Sequence, residues 1–268
     1  LRQLRGSAKA RAADALQRAS GMRRFQGGFE ALHRIALHGM NMGGAADDAT
    51  RSGEERVLAR LPEEPVVLDV GANVGAYAQL VLKARPRARV ICFEPSATAF
   101  AELTRRLGDR VTAFEYGLSD HEGSITLYAP EAGSALASPH QRRHPVARWD
   151  PLESVRMKRL DSVVPELELT RIDLLKLDVE GHELAALRGA DQTLRSGVIE
   201  TIQFEFGGCA IDSRVFLRDF FELLSERFAI SRVVQDGLFP IEYSELHEVF
   251  TTTNYVATAR HPRSSEPA

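Results

Sequence analysis

Three stretches of this chain carry residue types at spacings that can do chemistry. The first is Asp69-Val-Gly-Ala-Asn-Val-Gly75, placed between a β-branched apolar run and a helical stretch. In open α/β sheets the carboxyl ends of the strands hold the ligand, and glycines let the backbone approach it closely. A dinucleotide fingerprint asks for Gly at relative positions one, three and six. Those positions are Gly71, Asn73 and Ala76, so two of the three fail. A pyrophosphate cradle is therefore disfavoured, and with it an NAD-dependent oxidoreductase; an uncharged nucleoside fits better.

The second stretch is Glu94, nineteen positions after Gly75, at the end of a second apolar run. A carboxylate there can accept from both ribose hydroxyls, each charge-assisted bond contributing roughly 1.5–3 kcal/mol. With the turn at this spacing it points to an adenosine site, which the Gly117-Leu118-Ser119-Asp120 corner could close. The third stretch is Lys176-Leu-Asp178-Val-Glu180-Gly-His182-Glu183. Strand alternation puts Lys176 and Asp178 on one face. An ionised lysine in a central strand is costly unless paired. Glu205 on the next strand is the expected partner, so Lys176 is either half of a structural ion pair or a catalytic group. His182, just past a glycine turn, is a candidate base. Asp178, Glu180 and Glu205 could instead hold a divalent metal such as Mg2+, and the residues alone leave that open.

Elements that position these groups follow from the apolar periodicity. Short apolar runs alternate with helical stretches from about residue 66, the pattern of parallel strands joined by crossover helices. Strands are predicted at 66–70, 90–93, 111–116, 174–178 and 201–206, with later ones at 230–234 and 249–257. Helices are predicted at 77–83, 98–107 and 183–195. The stretch 124–157 interrupts this rhythm: a short strand at 125–128, then a long polar loop with Pro130, Gly133, Pro139, Pro145 and Pro151. A loop of that length is expected to be a binding segment or lid. Its His140, Arg142, Arg143, His144, Arg148 and Trp149 suit a polar or anionic glycan-like acceptor. The segment before Ser52 is expected to complete the acceptor wall. The domain plan is thus an N-terminal helical extension over 1–51, an α/β domain over 52–260 with the 124–157 insertion, and a disordered tail over 261–268.

LDVGANVG, FEP, GLSD, LLKLDVEGHELAALRGA and IQFEFG together resemble the FkbM-type S-adenosylmethionine-dependent methyltransferases, over about Ser52 to Ala257 and including NYVA. The resemblance implies a class I methyltransferase (Rossmann-like) fold: a three-layer α/β sandwich around a seven-stranded, mostly parallel sheet whose last strand is antiparallel. It also implies O-methylation of a hydroxyl on a sugar, glycan or natural product. Carried over by position, Gly71, Asn73 and Gly75 border the methionine–ribose part and Glu94 holds the ribose, with Asp69 before the turn a further candidate cofactor-binding residue. Leu118 and Ser119 border the adenine, and Asp178 faces the methionine end. Glu54 stands at the family's upstream acidic position, a partner for the cofactor ammonium. From the residues themselves, Lys176, Asp178, Glu180 and His182 are the candidate catalytic set, with His182 the first choice of base. A catalytically silent cofactor-binding domain is the further alternative, disfavoured by their retention.

Composition narrows the setting. The 268 residues are 44% hydrophobic and 26% charged, which supports a packed core and excludes wholesale disorder. A net charge of -3 argues against a broad nucleic-acid-binding face. Cys92 and Cys209 are the only cysteines, too few for a disulfide framework or a thiolate zinc cluster, which points to a reducing, cytoplasmic setting. No apolar run reaches the length of a membrane-spanning helix. Leu1, Leu4, Ala8, Ala12, Ala15, Leu16 and Ala19 repeat at helical spacing among Arg2, Arg5, Lys9, Arg11 and Arg18. That leader reads as a helix docked on its own domain or on a twin subunit in a homodimer, with a membrane-surface helix as the alternative.

Overall fold

In the computed structural model, residue 17 and residues 20–43, 52–143 and 148–260 are described. The basic leader, most of the link before Ser52, residues 144–147 with His144 and Pro145, and the 261–268 tail lie outside them, as do the expectations placed there.

Among the described residues, the first full helices are α1 (Gln26–Gly39) and the short α2 (Glu54–Ala59). It continues through β1 (Val66–Val70), α3 (Ala76–Ala84), β2 (Arg89–Phe93), α4 (Ala97–Leu107) and β3 (Thr112–Phe114). Three further strands follow, β4 (Gly117–Leu118), β5 (Gly123–Ala129) and β6 (Asp150–Lys158), then α5 (Leu160–Glu166) and β7 (Leu174–Leu177). Helices α6 (Glu183–Arg188) and α7 (Asp191–Ser196) lead to β8 (Thr201–Phe206), α8 (Cys209–Ser213) and α9 (Leu217–Leu224). Strands β9 (Phe228–Val234), β10 (Gly237–Pro240) and β11 (Thr253–Ala259) close the sheet.

Its order is β10-β9-β11-β8-β7-β1-β2-β3. The strands from β3 to β8 are parallel, and β11 runs antiparallel to both β8 and β9. This is the class I methyltransferase order, with β10 added at one edge. The sheet has eight strands rather than the expected seven because a two-residue turn at Gln235 and Asp236 folds the chain back on β9 before β11.

Alternation along the strands builds the sandwich. Leu68, Val70, Ile91, Phe93, Leu175 and Phe204 face a core shared with Leu160 and Val163 of α5, Leu187 of α6 and Phe220 of α9. Val67, Val90, Cys92 and Val256 face the opposite layer, with Val57, Leu58, Tyr77, Val81 and Leu103. Asp69, Lys176 and Gln203 share that second face, where the register of β1, β7 and β8 aligns them side by side. Chain order reverses between β1 and β7, which is where an open sheet splits to admit a ligand.

Two sequence expectations are corrected. The helix predicted at 183–195 is two helices, parted at Gly189 and Ala190; a Cβ on Gly189 would lie 1.9 Å from the Ser119 carbonyl oxygen, so that approach requires glycine there. Asp161 then caps the second helix, its Oδ1 accepting from Thr193 N at 2.9 Å. The 124–157 insertion holds the strand expected at 125–128, as β5, and also a second strand that the sequence reading left as loop, β6. β5 and β6 form an antiparallel hairpin with β4 alongside, over a small core of Leu127, Val155 and Met157. Charged residues and Pro151 mask β6 in the sequence; Pro151 sits at a register shift near the start of the strand, where the ladder tolerates a missing N–H. No helix among the described residues is long and apolar enough to cross a membrane.

Candidate active site

The turn after β1 is built by its own residues. Gly71 and Ala72 donate N–H groups to the Phe93 carbonyl at 2.9 and 3.1 Å, tying the turn to the end of β2. Gly71 has φ +80° and a Cβ there would lie 1.9 Å from the Asp178 carbonyl oxygen, so glycine is required by the approach of the β7 end. Asn73 stands at φ 47° and its Oδ1 accepts from the Val74 N–H at 2.6 Å. Asn tolerates this left-handed geometry, which is why the turn closes without the fingerprint's second glycine. Gly75, at φ +82°, lets α3 pack on Leu107, whose Cδ1 would be 2.7 Å from an added Cβ.

Glu94 completes this edge. Its Oε2 accepts from Asn73 N and its Oε1 from Ser96 N, both at 2.8 Å. Burial raises its pKa to about 7 against the pull of those two N–H groups. Each oxygen keeps a lone pair, so the carboxylate can accept two further donors at the mouth of the turn. Ser96 in turn donates its hydroxyl to Glu153 of β6 at 2.6 Å, linking the insertion hairpin to this corner.

The second feature is a charged floor. Lys176 Nζ lies 3.0 Å from Asp178 Oδ2 and 3.8 Å from Asp69 Oδ1, with the Tyr77 ring 4.6 Å away. Asp69 is wholly buried and neither of its oxygens has a hydrogen-bond partner within the described residues. Burial first, and the Asp178 and Glu54 charges after it, lift its pKa to about 6 although Lys176 pulls the other way. Burial alone would depress Lys176, but Asp178, Asp69 and Glu54 outweigh it and hold the ammonium charged. The expected Lys176–Glu205 ion pair is absent among the described residues. Lys176 is in register with Gln203 of β8, two residues short of Glu205, and the nearer carboxylates of Asp69 and Asp178 take the ammonium.

Gln203 is the residue that sequence reasoning missed. Its Nε2 donates to Glu54 Oε1 at 2.8 Å and its Oε1 accepts from the Tyr77 hydroxyl at 3.2 Å. The signal was present: an amide at an inward position of a central strand must be satisfied there. Glu54 thus joins Asp69, Lys176 and Asp178, as its position in the sequence suggested.

The 178–183 loop makes the third side. His182 is buried, and its Nε2 lies 3.0 Å from Ser119 Oγ while Nδ1 is buried with no partner in the described set. Burial first, then His140, lowers its pKa to about 4, so the ring is neutral at pH 7. Leu118 and Ser119 are both buried at the corner after β3. Glu180 is oriented away from Lys176. Its backbone holds φ 52°, its carbonyl accepts from Ser138 Oγ at 2.7 Å, and its Oε2 is shared by Arg142 Nη1 at 3.2 Å and Cys209 Sγ at 2.7 Å. Arg142 lies 5.1 Å over the Trp149 ring, and Trp149 donates Nε1–H to the Leu136 carbonyl at 3.0 Å. The described part of the insertion is therefore docked on the β7 end through Glu180. Glu205 lines a cavity with Gly181, Glu183 and Cys209, and burial lifts its pKa well above the ordinary carboxylate range. Within the described residues, no three His, Cys, Asp or Glu side chains are grouped to hold a metal ion.

The chain is 33% identical over 144 residues to the 2-O-methyltransferase NoeI of Sinorhizobium fredii, covering 49% of this chain and 59% of NoeI. It is 32% identical over 178 residues to the methyltransferase sdnD of Sordaria araneosa, covering 54% of this chain and 69% of sdnD. It is 30% identical over 181 residues to the hexuronic acid methyltransferase AglP of Haloferax volcanii, covering 65% of this chain and 69% of AglP. The matches thus span three-fifths to two-thirds of the relatives' lengths. Residues 69–228, which run from the Asp69 turn to the start of β9, match the methyltransferase FkbM domain, and on that match the chain belongs to the FkbM methyltransferase family.

Proposed function

We propose that this chain is an S-adenosylmethionine-dependent O-methyltransferase acting on a hydroxyl of a sugar, glycan or natural product. The observation that carries the reading is Glu94, a buried carboxylate at the end of β2 with free acceptor capacity beside the Gly71–Gly75 turn. The cofactor fits the donors of the site. Glu94 would take the ribose hydroxyls, and Leu118 and Ser119 would border the adenine. Glu54, Asp69 and Asp178 outnumber Lys176 in negative charge, which suits a ligand end bearing an ammonium and a sulfonium. When bound, S-adenosylmethionine supplies an electrophilic methyl group.

The chain's own residues then have two tasks. One is alignment of acceptor and donor, which can supply up to about 7–11 kcal/mol. The other is uptake of the hydroxyl proton, assigned in this reading to His182. Ser119 Oγ donates to Asp120 Oδ1 at 3.2 Å, so His182 Nε2–H donates to Ser119 and Nδ1 keeps the free lone pair. A neutral imidazole is the state that can accept a proton. Lys176 and Asp178 act as the positioning pair below the methyl centre. Glu180 supports the acceptor side through Ser138 and Arg142. The acceptor class rests on the relatives, one a 2-O-methyltransferase and one acting on a hexuronic acid. Family membership sets aside the nicotinamide alternative.

The test is methyl transfer from isotopically labelled S-adenosylmethionine to a panel of glycosides, uronic acids and polyhydroxylated natural products, read by mass spectrometry. A labelled methyl ether on one class supports the reading. Label on nitrogen or carbon only, or on no acceptor with cofactor bound, would overturn it.

A further inference from the structure

We infer that Gln203 is a positioning residue for the amino-acid end of the cofactor, acting by holding the Glu54 carboxylate in place. The inference rests on the reading of this site as an S-adenosylmethionine site. Glu54 does not come from the sheet. It opens α2, after Gly53 at φ 86°, where an added Cβ would lie 2.3 Å from the Val234 carbonyl oxygen. Asn41 fastens this segment from the other side, its Nδ2 donating to the Ser52 carbonyl at 3.0 Å and the Val233 carbonyl at 3.1 Å.

The segment therefore lies against β9, but the Glu54 side chain must still be aimed at the floor of the site. Two contacts aim it: Ser52 Oγ donates to Oε2 at 3.1 Å and Gln203 Nε2 donates to Oε1 at 2.8 Å. Each oxygen keeps acceptor capacity for a ligand ammonium.

Gln203 is suited to this because it cannot turn. Its side chain is 1% exposed, so both ends of the amide must be satisfied inside the protein. The Tyr77 hydroxyl takes Oε1, which leaves Nε2 directed at Glu54. A flipped amide would set its oxygen against the Glu54 carboxylate and force the Tyr77 hydroxyl to turn from donor to acceptor. Tyr77 is itself held, with its ring under the Lys176 ammonium. The chain Lys176–Tyr77–Gln203–Glu54 thus crosses from β7 through α3 and β8 to α2, and it fixes a carboxylate that no strand carries.

The experiment is calorimetric titration with two probes, S-adenosylhomocysteine and 5′-methylthioadenosine. They share the adenosine and the thioether, and only the first carries the amino-acid group. In Gln203→Met we expect about tenfold weaker binding of S-adenosylhomocysteine and unchanged binding of 5′-methylthioadenosine. Tyr77→Phe, which removes only the hydroxyl that orients Gln203, should shift the same probe in the same direction by a smaller factor. It serves if Gln203→Met does not fold. Glu54→Gln should abolish the effect, so that adding Gln203→Met to it changes nothing further. Equal weakening of both probes would mean a general structural role and would overturn the inference, as would unchanged binding of both in a folded variant. A wild-type chain that binds neither probe overturns the cofactor reading itself.

Discussion

Lys176→Met removes the ammonium that faces Asp69 and Asp178 on the floor of the site. The Lys176 side chain is 7% exposed, that of Asp69 0% and that of Asp178 43%. The 3.0 Å contact to Asp178 is the shorter one, but solvent screens a carboxylate that exposed, and such pairs contribute about 0–1 kcal/mol. Asp69 decides the outcome. At 3.8 Å its attraction to the ammonium is gross about 4 kcal/mol at an effective dielectric near 20, and removing Lys176 leaves a buried carboxylate with no cation. We expect a loss of about 3–5 kcal/mol at pH 8, measured by urea unfolding followed by far-UV circular dichroism. The loss must depend on pH. Asp69 has a folded pKa of about 6, above the ordinary 3.8, so the folded state binds the extra proton and its stability falls as pH rises through that window. Without Lys176 the folded pKa climbs further and the window extends upward. The deficit of the variant should therefore shrink toward pH 5 and grow toward pH 8. Adding Asp69→Asn should recover part of the loss, whereas Glu205→Gln should add to it within about 0.5 kcal/mol. A cost below about 1 kcal/mol, no pH dependence, or strong coupling to Glu205 in place of Asp69 would refute the reasoning.

Three further outcomes follow from the same geometry. Glu94 has a pKa of about 7 and must be ionised to accept two hydroxyls at full strength. S-Adenosylhomocysteine affinity should therefore rise with pH up to about 7 and level off above it, and Glu94→Gln should flatten the profile; a flat wild-type profile would remove Glu94 from the ribose. His182→Ala should lower turnover about 100- to 10,000-fold with cofactor affinity nearly intact. A retained rate, with activity lost to a chelator and restored by Mg2+, would move the proton to a metal-bound route. Arg142→Ala should raise the acceptor KM, leave S-adenosylhomocysteine affinity unchanged and shift the emission of the otherwise buried Trp149 toward the solvent-exposed maximum; unchanged emission and KM would mean that the Glu180–Arg142–Trp149 contacts do not set the acceptor wall.

Much of the sheet was legible because its strands are short apolar runs. Val66–Val70, Leu174–Leu177 and Thr201–Phe206 lie within a residue of where periodicity placed them. What escaped was set by contacts distant in sequence. Nothing local in Asp150–Lys158 marks a strand; its partner, the Gly123–Ala129 strand, makes it one. The glycine at 189, where the 183–195 helix parts, answers to the Ser119 carbonyl. In the site, Glu54, Asp69, Lys176 and Asp178 come together as their positions suggested. The Lys176–Glu205 pairing failed because apolar runs mark strands but carry no register between them. A shift of two residues put Gln203 where Glu205 was expected. Glu180 read as catalytic from its motif, and only the folded insertion reveals Ser138 and Arg142 on it.

The most direct test of the cofactor site is a calorimetric titration of S-adenosylhomocysteine into the wild-type chain and into Glu94→Ala. Two charge-assisted hydrogen bonds lost from one buried carboxylate should weaken binding by about 2–4 kcal/mol, roughly 30- to 1,000-fold, with one site per chain in the wild type. Equal affinity in the two proteins, or no binding by the wild type, would contradict the account.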